Sequence, residues 1–142
     1  MADYLTHDVI LNFADETPED STLNILRFQA RDTTLVIARS PVDKRQTLDE
    51  ALTAQLDQLR NKTQALSITP AQVTHLGNQQ SVEGREMAVQ FMTGDKSNFQ
   101  LQVACLIPGQ QRMLVLNYSK QGPFSDGDIT HWRAIKQTLR FS

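Results

Sequence analysis

The chain has one cysteine, Cys105, in 142 residues. No internal disulfide can form, and a reducing, cytosolic setting is the expectation. The opening "MADYLTHDVILNF" lacks a basic segment followed by an apolar one, so no secretory signal is expected. No apolar run approaches the ~20 residues that cross a bilayer, so stable membrane insertion is not expected. Positive charge is not concentrated either: net charge is −2, with acids and bases interspersed over most of the chain. A nucleic-acid partner is disfavoured, because its recognition needs a clustered basic footprint. The one local bias is acidic. Residues 1–26 hold Asp3, Asp8, Asp15, Glu16, Glu19 and Asp20 but neither Lys nor Arg, which reads as a solvated acidic loop around "ADETPEDS".

Chemistry-bearing patterns are also scarce. His7, His75 and His131 are scattered over the chain, with none of the paired spacing of a zinc site and no second cysteine to complete one. "TGDKS" lacks the first glycine and the Gly-Lys adjacency of a phosphate-cradling loop, and a hairpin turn explains it better. Cys105 sits beside Ala104, Leu106 and Ile107, which favours a small buried hydrophobe over a nucleophile. The expectation is a protein without catalytic residues, metal or cofactor, and not an enzyme.

What is present is strand and helix pattern, in a length and composition suited to one domain over residues 1–142. A first strand is expected at 8–13, ending in the acidic loop. Two more follow at about 22–29 and 33–40, stopped by Pro41, which has no N–H to donate. "TLDEALTAQLDQLRNKTQAL" is the clearest helix: Thr47 and Glu50 form a capping box. Leu48, Leu52 and Leu59 lie on one stripe, widened by Leu56. Gln55 falls inside that stripe, where an apolar residue is expected. Beyond Pro70, strands are expected at about 72–77, 85–93, 98–107 and 112–119, with turns at Gly84, "TGDKS" and "PGQQ". "SDGDITHWRAIKQTLRF" closes the chain as a helix capped by Ser125 or Asp126, burying Ile129, Trp132, Ile135 and Leu139. The order predicts an α+β domain, an antiparallel β-sheet with packed helices.

The first paired strands are apolar on both faces. Leu23 and Ile25 oppose Leu26 and Phe28; Val36 and Ala38 oppose Leu35 and Ile37. A core of Phe99, Leu101, Val103, Leu26, Phe28, Leu35 and Ile37 with both helices would leave a second face. That face would carry Leu23, Ile25, Thr34, Val36, Ala38 and Gln102, an apolar floor with polar spots. Large exposed apolar patches mark interaction sites. The alternatives are a face buried in a homodimer or under a loop, and a groove carrying a lipid or other small apolar ligand.

"STLNILRF", "TLVIARSPV", "LDEALTAQLDQL" and the terminal "W…TLRF" resemble the DcrB-related family, and within it the Eag-type (effector-associated) chaperones of the bacterial type VI secretion system. The resemblance runs from about Ser21 to Phe141. It implies a Mog1/PsbP-like sandwich, usually homodimeric, and a bacterial cytoplasmic chaperone. Such a protein binds and shields the N-terminal transmembrane helices of an effector and supports its loading onto the secretion spike. The resemblance further implies a groove of Leu23, Ile25, Thr34, Val36, Ala38, Gln55, Leu59 and Gln102. Either Gln100 or Gln102 is the carboxamide that faces it. The lack of a signal sequence favours this branch over the exported lipoproteins of the family.

Overall fold

A computed structural model describes residues 3–5, 10–12, 14–16, 23–42, 45–62, 64–77 and 80–141. Strands β1 (Asp3–Leu5) and β2 (Ile10–Asn12) pair antiparallel as a small separate sheet. Only β2 is anticipated by the sequence, and positions 8, 9 and 13 of its expected span lie outside the described residues. Strands β3 (Asn24–Phe28), β4 (Thr33–Pro41), β5 (Gln64–Ile68), β6 (Gln72–Leu76), β7 (Val82–Thr93), β8 (Lys96–Leu106) and β9 (Arg112–Gln121) form a second, wholly antiparallel sheet. Its order is β3-β4-β9-β8-β7-β5, with β6 also on β7. The helices are α1 (Leu48–Lys62) and α2 (Asp126–Thr138). The expected α+β architecture, an antiparallel sheet with packed helices, is the architecture found.

Local signals account for most boundaries. Strand β4 ends at Pro41, as the missing N–H requires. Helix α1 starts at the Thr47–Glu50 capping box: Glu50 N donates to Thr47 Oγ1 at 3.2 Å and Thr47 N to Glu50 Oε1 at 3.3 Å. Helix α2 starts at Ser125 with the same device, Asp128 N donating to Ser125 Oγ and Ser125 N to Asp128 Oδ2.

Two local expectations are corrected. The helical pattern continues into "QAL", yet α1 stops at Lys62 and Gln64–Ile68 is strand β5, laid along β7. Strands β5 and β6 share the same edge of β7 and are separated by Pro70. Beside that break, Thr69 N donates to Ala88 O and Ala88 N donates to Thr69 Oγ1, so the edge stays bonded. Gly84 is not a turn residue either. It lies inside β7, and a Cβ there would sit 2.7 Å from the Ala104 carbonyl oxygen of β8. Glycine is needed for close approach of two strands, not for a bend.

The largest correction concerns the helices, which pack on opposite faces of the sheet rather than on one. Alternation along β8 shows this directly, because successive side chains point to opposite faces. Val103 and Cys105 pack with Leu35, Leu116, Tyr118 and Trp132 of α2, with Phe28, Ile37 and Leu101 against them. Ala104 packs with Met87, Val89, Met113, Val115 and the α1 residues Ala51 and Leu52. The second apolar face is therefore roofed in part by the protein's own helix.

Candidate functional site

Residues directly opposite in neighbouring antiparallel strands share a face, so the register fixes which side chains line the α1 side. One row runs Ile25–Val36–Asn117–Gln102–Met87 from β3 to β7. The next runs Arg27–Thr34–Ser119–Gln100–Val89. On the other side lies Ala38–Val115–Ala104–Arg85. Five expected residues, Ile25, Thr34, Val36, Ala38 and Gln102, are thus on one face. Leu23 immediately precedes β3. Gln55 and Leu59 lie in α1, the helix on this same face, but their side chains are outside the described residues.

Helix α1 covers the β7–β8–β9 part of this face, where Met87, Val89, Ala104 and Val115 are buried. Asp49 of α1 is tied to the sheet by Arg85, Nε to Oδ1 at 3.0 Å. The β3–β4 part is open. Leu23 is 55% and Ile25 56% exposed, while Thr34, Val36 and Ala38 are half-buried. Strand β3 is also the sheet's outer strand, with β4 on one side and no partner on the other among the described residues. The floor is less oily than the sequence predicts, because three carboxamides lie on it.

Gln100 and Gln102 both face this side, so the choice between them dissolves. They differ in depth: Gln102 is 4% exposed, Gln100 half-buried. The third carboxamide, Asn117, was missed. Its Nδ2 donates to Gln100 Oε1 at 3.1 Å, while its buried Oδ1 has no hydrogen-bond partner among the described residues. Pairing the two runs around "PGQQ" as a hairpin sets Asn117 opposite Gln102, so the sequence held the signal. Beyond these amides the face turns polar. A depression of about 350 Å³ is lined by Arg27, Thr34, Asn98, Gln100, Ser119 and Gln121, among others.

Cys105, on the opposite side, is buried, and burial pushes its thiol up to about 11; it is a packed hydrophobe rather than a nucleophile. His131 bonds the Tyr118 hydroxyl at 2.8 Å through Nδ1 and meets the Phe28 ring edge-on. Among the described residues no cluster of His, Cys, Asp or Glu could hold a metal, and no helix is long and apolar enough to cross a membrane.

These features sit on a recognisable family frame. The DcrB family pattern matches residues 13–138, and the chain belongs to that family. No curated protein matches it. Among solved structures it is similar to the Pseudomonas aeruginosa protein PA94, a protein of unknown function considered a candidate regulator. The two share 16% identity at a TM-score of 0.72, over 99% of this chain and 96% of that one. That likeness concerns the fold alone.

Proposed function

We propose that the open β3–β4 part of the α1 face receives an apolar helix of a partner protein and keeps it from aggregating. In the terms of the resemblance, the chain is a cytosolic Eag-type chaperone that shields the N-terminal transmembrane helices of a type VI secretion effector and supports its loading onto the spike. The observation that carries this reading is the row Ile25–Val36–Asn117–Gln102, exposed and apolar at the sheet edge, buried and amide-bearing inside.

The physical case follows from that row. A transmembrane segment of ~20 apolar residues has no stable exposed form in water. Covering apolar surface contributes about 25 cal/mol per Å², so a few hundred Å² yields several kcal/mol before ordering costs. The small Ala38 and Thr34 side chains permit close approach of a helix, as small residues do between membrane helices. The free Asn117 acceptor is a ready partner for a hydroxyl or amide on the guest, and leaving such groups unpaired in an apolar groove is costly. No bond is made or broken; the activity is holding. In the terms of the resemblance, the chain also pairs as a homodimer.

The test is capture from the native bacterium with a tagged chain, followed by identification of the companion. The expected companion carries apolar helices near its N-terminus, and Val36→Asp abolishes its recovery. A companion without such helices, or recovery unchanged by Val36→Asp, contradicts the reading.

A further inference from the structure

The opposite face carries a feature that the proposed groove does not use. Past the C-terminal end of α2, the segment Leu139–Phe141 lies beside the sheet and leaves a cavity of about 270 Å³. Its lining includes Ile37, Ile107, Leu114, Leu116, Leu139 and Phe141. Leu114 and Leu116 are buried, and Ile37, Ile107, Leu139 and Phe141 are half-buried. The same cavity is lined by Arg39, Arg112 and Arg140, with Gln110, and by no carboxylate among the described residues.

The three guanidiniums come from three separate segments: β4, β9 and the chain after α2. Register confirms that Arg39 and Leu114 are direct neighbours on this face, with Ile37 and Leu116 in the next row. Arg39 is held in place by donating from Nη1 to Asn24 Oδ1 at 2.8 Å, and Arg39 and Arg112 make further contacts. Three arginines thus line one largely apolar hollow in a chain whose net charge is −2. Guanidiniums are the side chains best suited to fork onto a carboxylate or phosphate.

We propose that this cavity binds a small anionic amphiphile, with its carboxylate or phosphate head among Arg39, Arg112 and Arg140 and a short alkyl tail over Ile37, Leu114 and Leu116. Ligand pockets usually run from roughly 300 to 1,000 Å³. A hollow of about 270 Å³, just below that range, takes one medium-length chain, not the paired acyl chains of a bilayer lipid. The ligand is therefore a free amphiphile. An apolar floor with a few convergent polar groups is the general form of a small-molecule site. The site lies on the face opposite the proposed guest groove, so either can fail without the other.

The experiment is a methyl NMR titration of the full chain with octanoate, octyl phosphate, octylammonium and inorganic phosphate. Octanoate or octyl phosphate is expected to shift the Ile37, Leu114 and Leu116 methyls saturably. Octylammonium and inorganic phosphate are expected to leave them unmoved. Arg140→Gln, at an exposed position, weakens the response about tenfold, the loss expected for one charge-assisted hydrogen bond; Arg112→Gln does the same. No saturable shift with either anionic amphiphile, an equal response to octylammonium, or affinity unchanged in both variants overturns the proposal. So does binding to phosphatidylglycerol vesicles without binding of the free amphiphiles.

Discussion

The two faces of the large sheet are built from the same strands and finished differently. On the α2 face, Tyr118 is fully buried and stacks on both Trp132 and Phe124, with centroids 5.6 and 5.7 Å away. Lys120 bonds Asp128 at 2.8 Å and Lys136 pairs with Glu86, so the helix is tied down by rings and charges. On the α1 face no aromatic ring is fully buried among the described residues, and three carboxamides stand where the other face has rings and aliphatics. One face is packed around its own helix, with the arginine-lined hollow beyond the helix end. The other is covered by α1 at one end and open at the other, which is the shape the proposed guest groove requires.

The contrast can be broken most forcefully on the packed side. Trp132→Ala removes the largest side chain of the α2 contact and is expected to cost about 3–5 kcal/mol, read as a lowered denaturant midpoint. Gly84→Ala places a Cβ against the Ala104 carbonyl at 2.7 Å. It should cost about 1–3 kcal/mol through strand displacement, visible in the same measurement. Ser125→Ala removes the α2 cap and should cost about 1 kcal/mol.

The capping carboxylate gives a finer test by pH. The hydrogen bond from the Lys120 ammonium holds Asp128 below the usual carboxylate range, aided by the Ser125 backbone N–H, while burial works the other way. A depressed folded pKa contributes stability that is present above the unfolded value, ~3.9, and is lost as pH falls through the folded one. Acid unfolding of Asp128→Asn should therefore lack the part of the pH dependence that the parent chain shows below about pH 4. Identical acid curves would mean the pair contributes nothing. The smallest stability effect belongs to the open face: Ile25→Asp, at a half-exposed edge position, should change stability by less than about 1 kcal/mol.

Much of this contrast could be read from residues alone, and the limits are physical. The Thr47–Glu50 capping box, the Pro41 stop and strands β6, β8 and β9 are local signals and lie close to where the sequence places them, whereas β7 starts earlier because Gly84 sits inside it rather than at a turn. The period-2 alternation within each strand put Ile25, Thr34, Val36, Ala38 and Gln102, five of the expected positions, on one face, because alternation is a property of the strand itself. Which helix covers which face is not local. Both helices carry one apolar stripe, and a stripe does not say which side of a two-faced sheet it meets. Asn117 is a different case: the hairpin around "PGQQ" lays it opposite Gln102, so its place on this face follows from a local pairing. Strand β5 was hidden for a different reason: "QAL" continues the helical pattern of α1, and pairing with β7 overrode local preference. The cavity of Arg39, Arg112 and Arg140 joins residues far apart in sequence, and no spacing announces it.

The most direct measurement is co-purification of a companion with the Ile25→Asp chain, alongside its melting curve. The account predicts a fold as stable as the parent to within about 1 kcal/mol and complete loss of the apolar-helix partner. Full recovery of that partner by an intact Ile25→Asp protein would show that the open half of the α1 face is not where a guest is held.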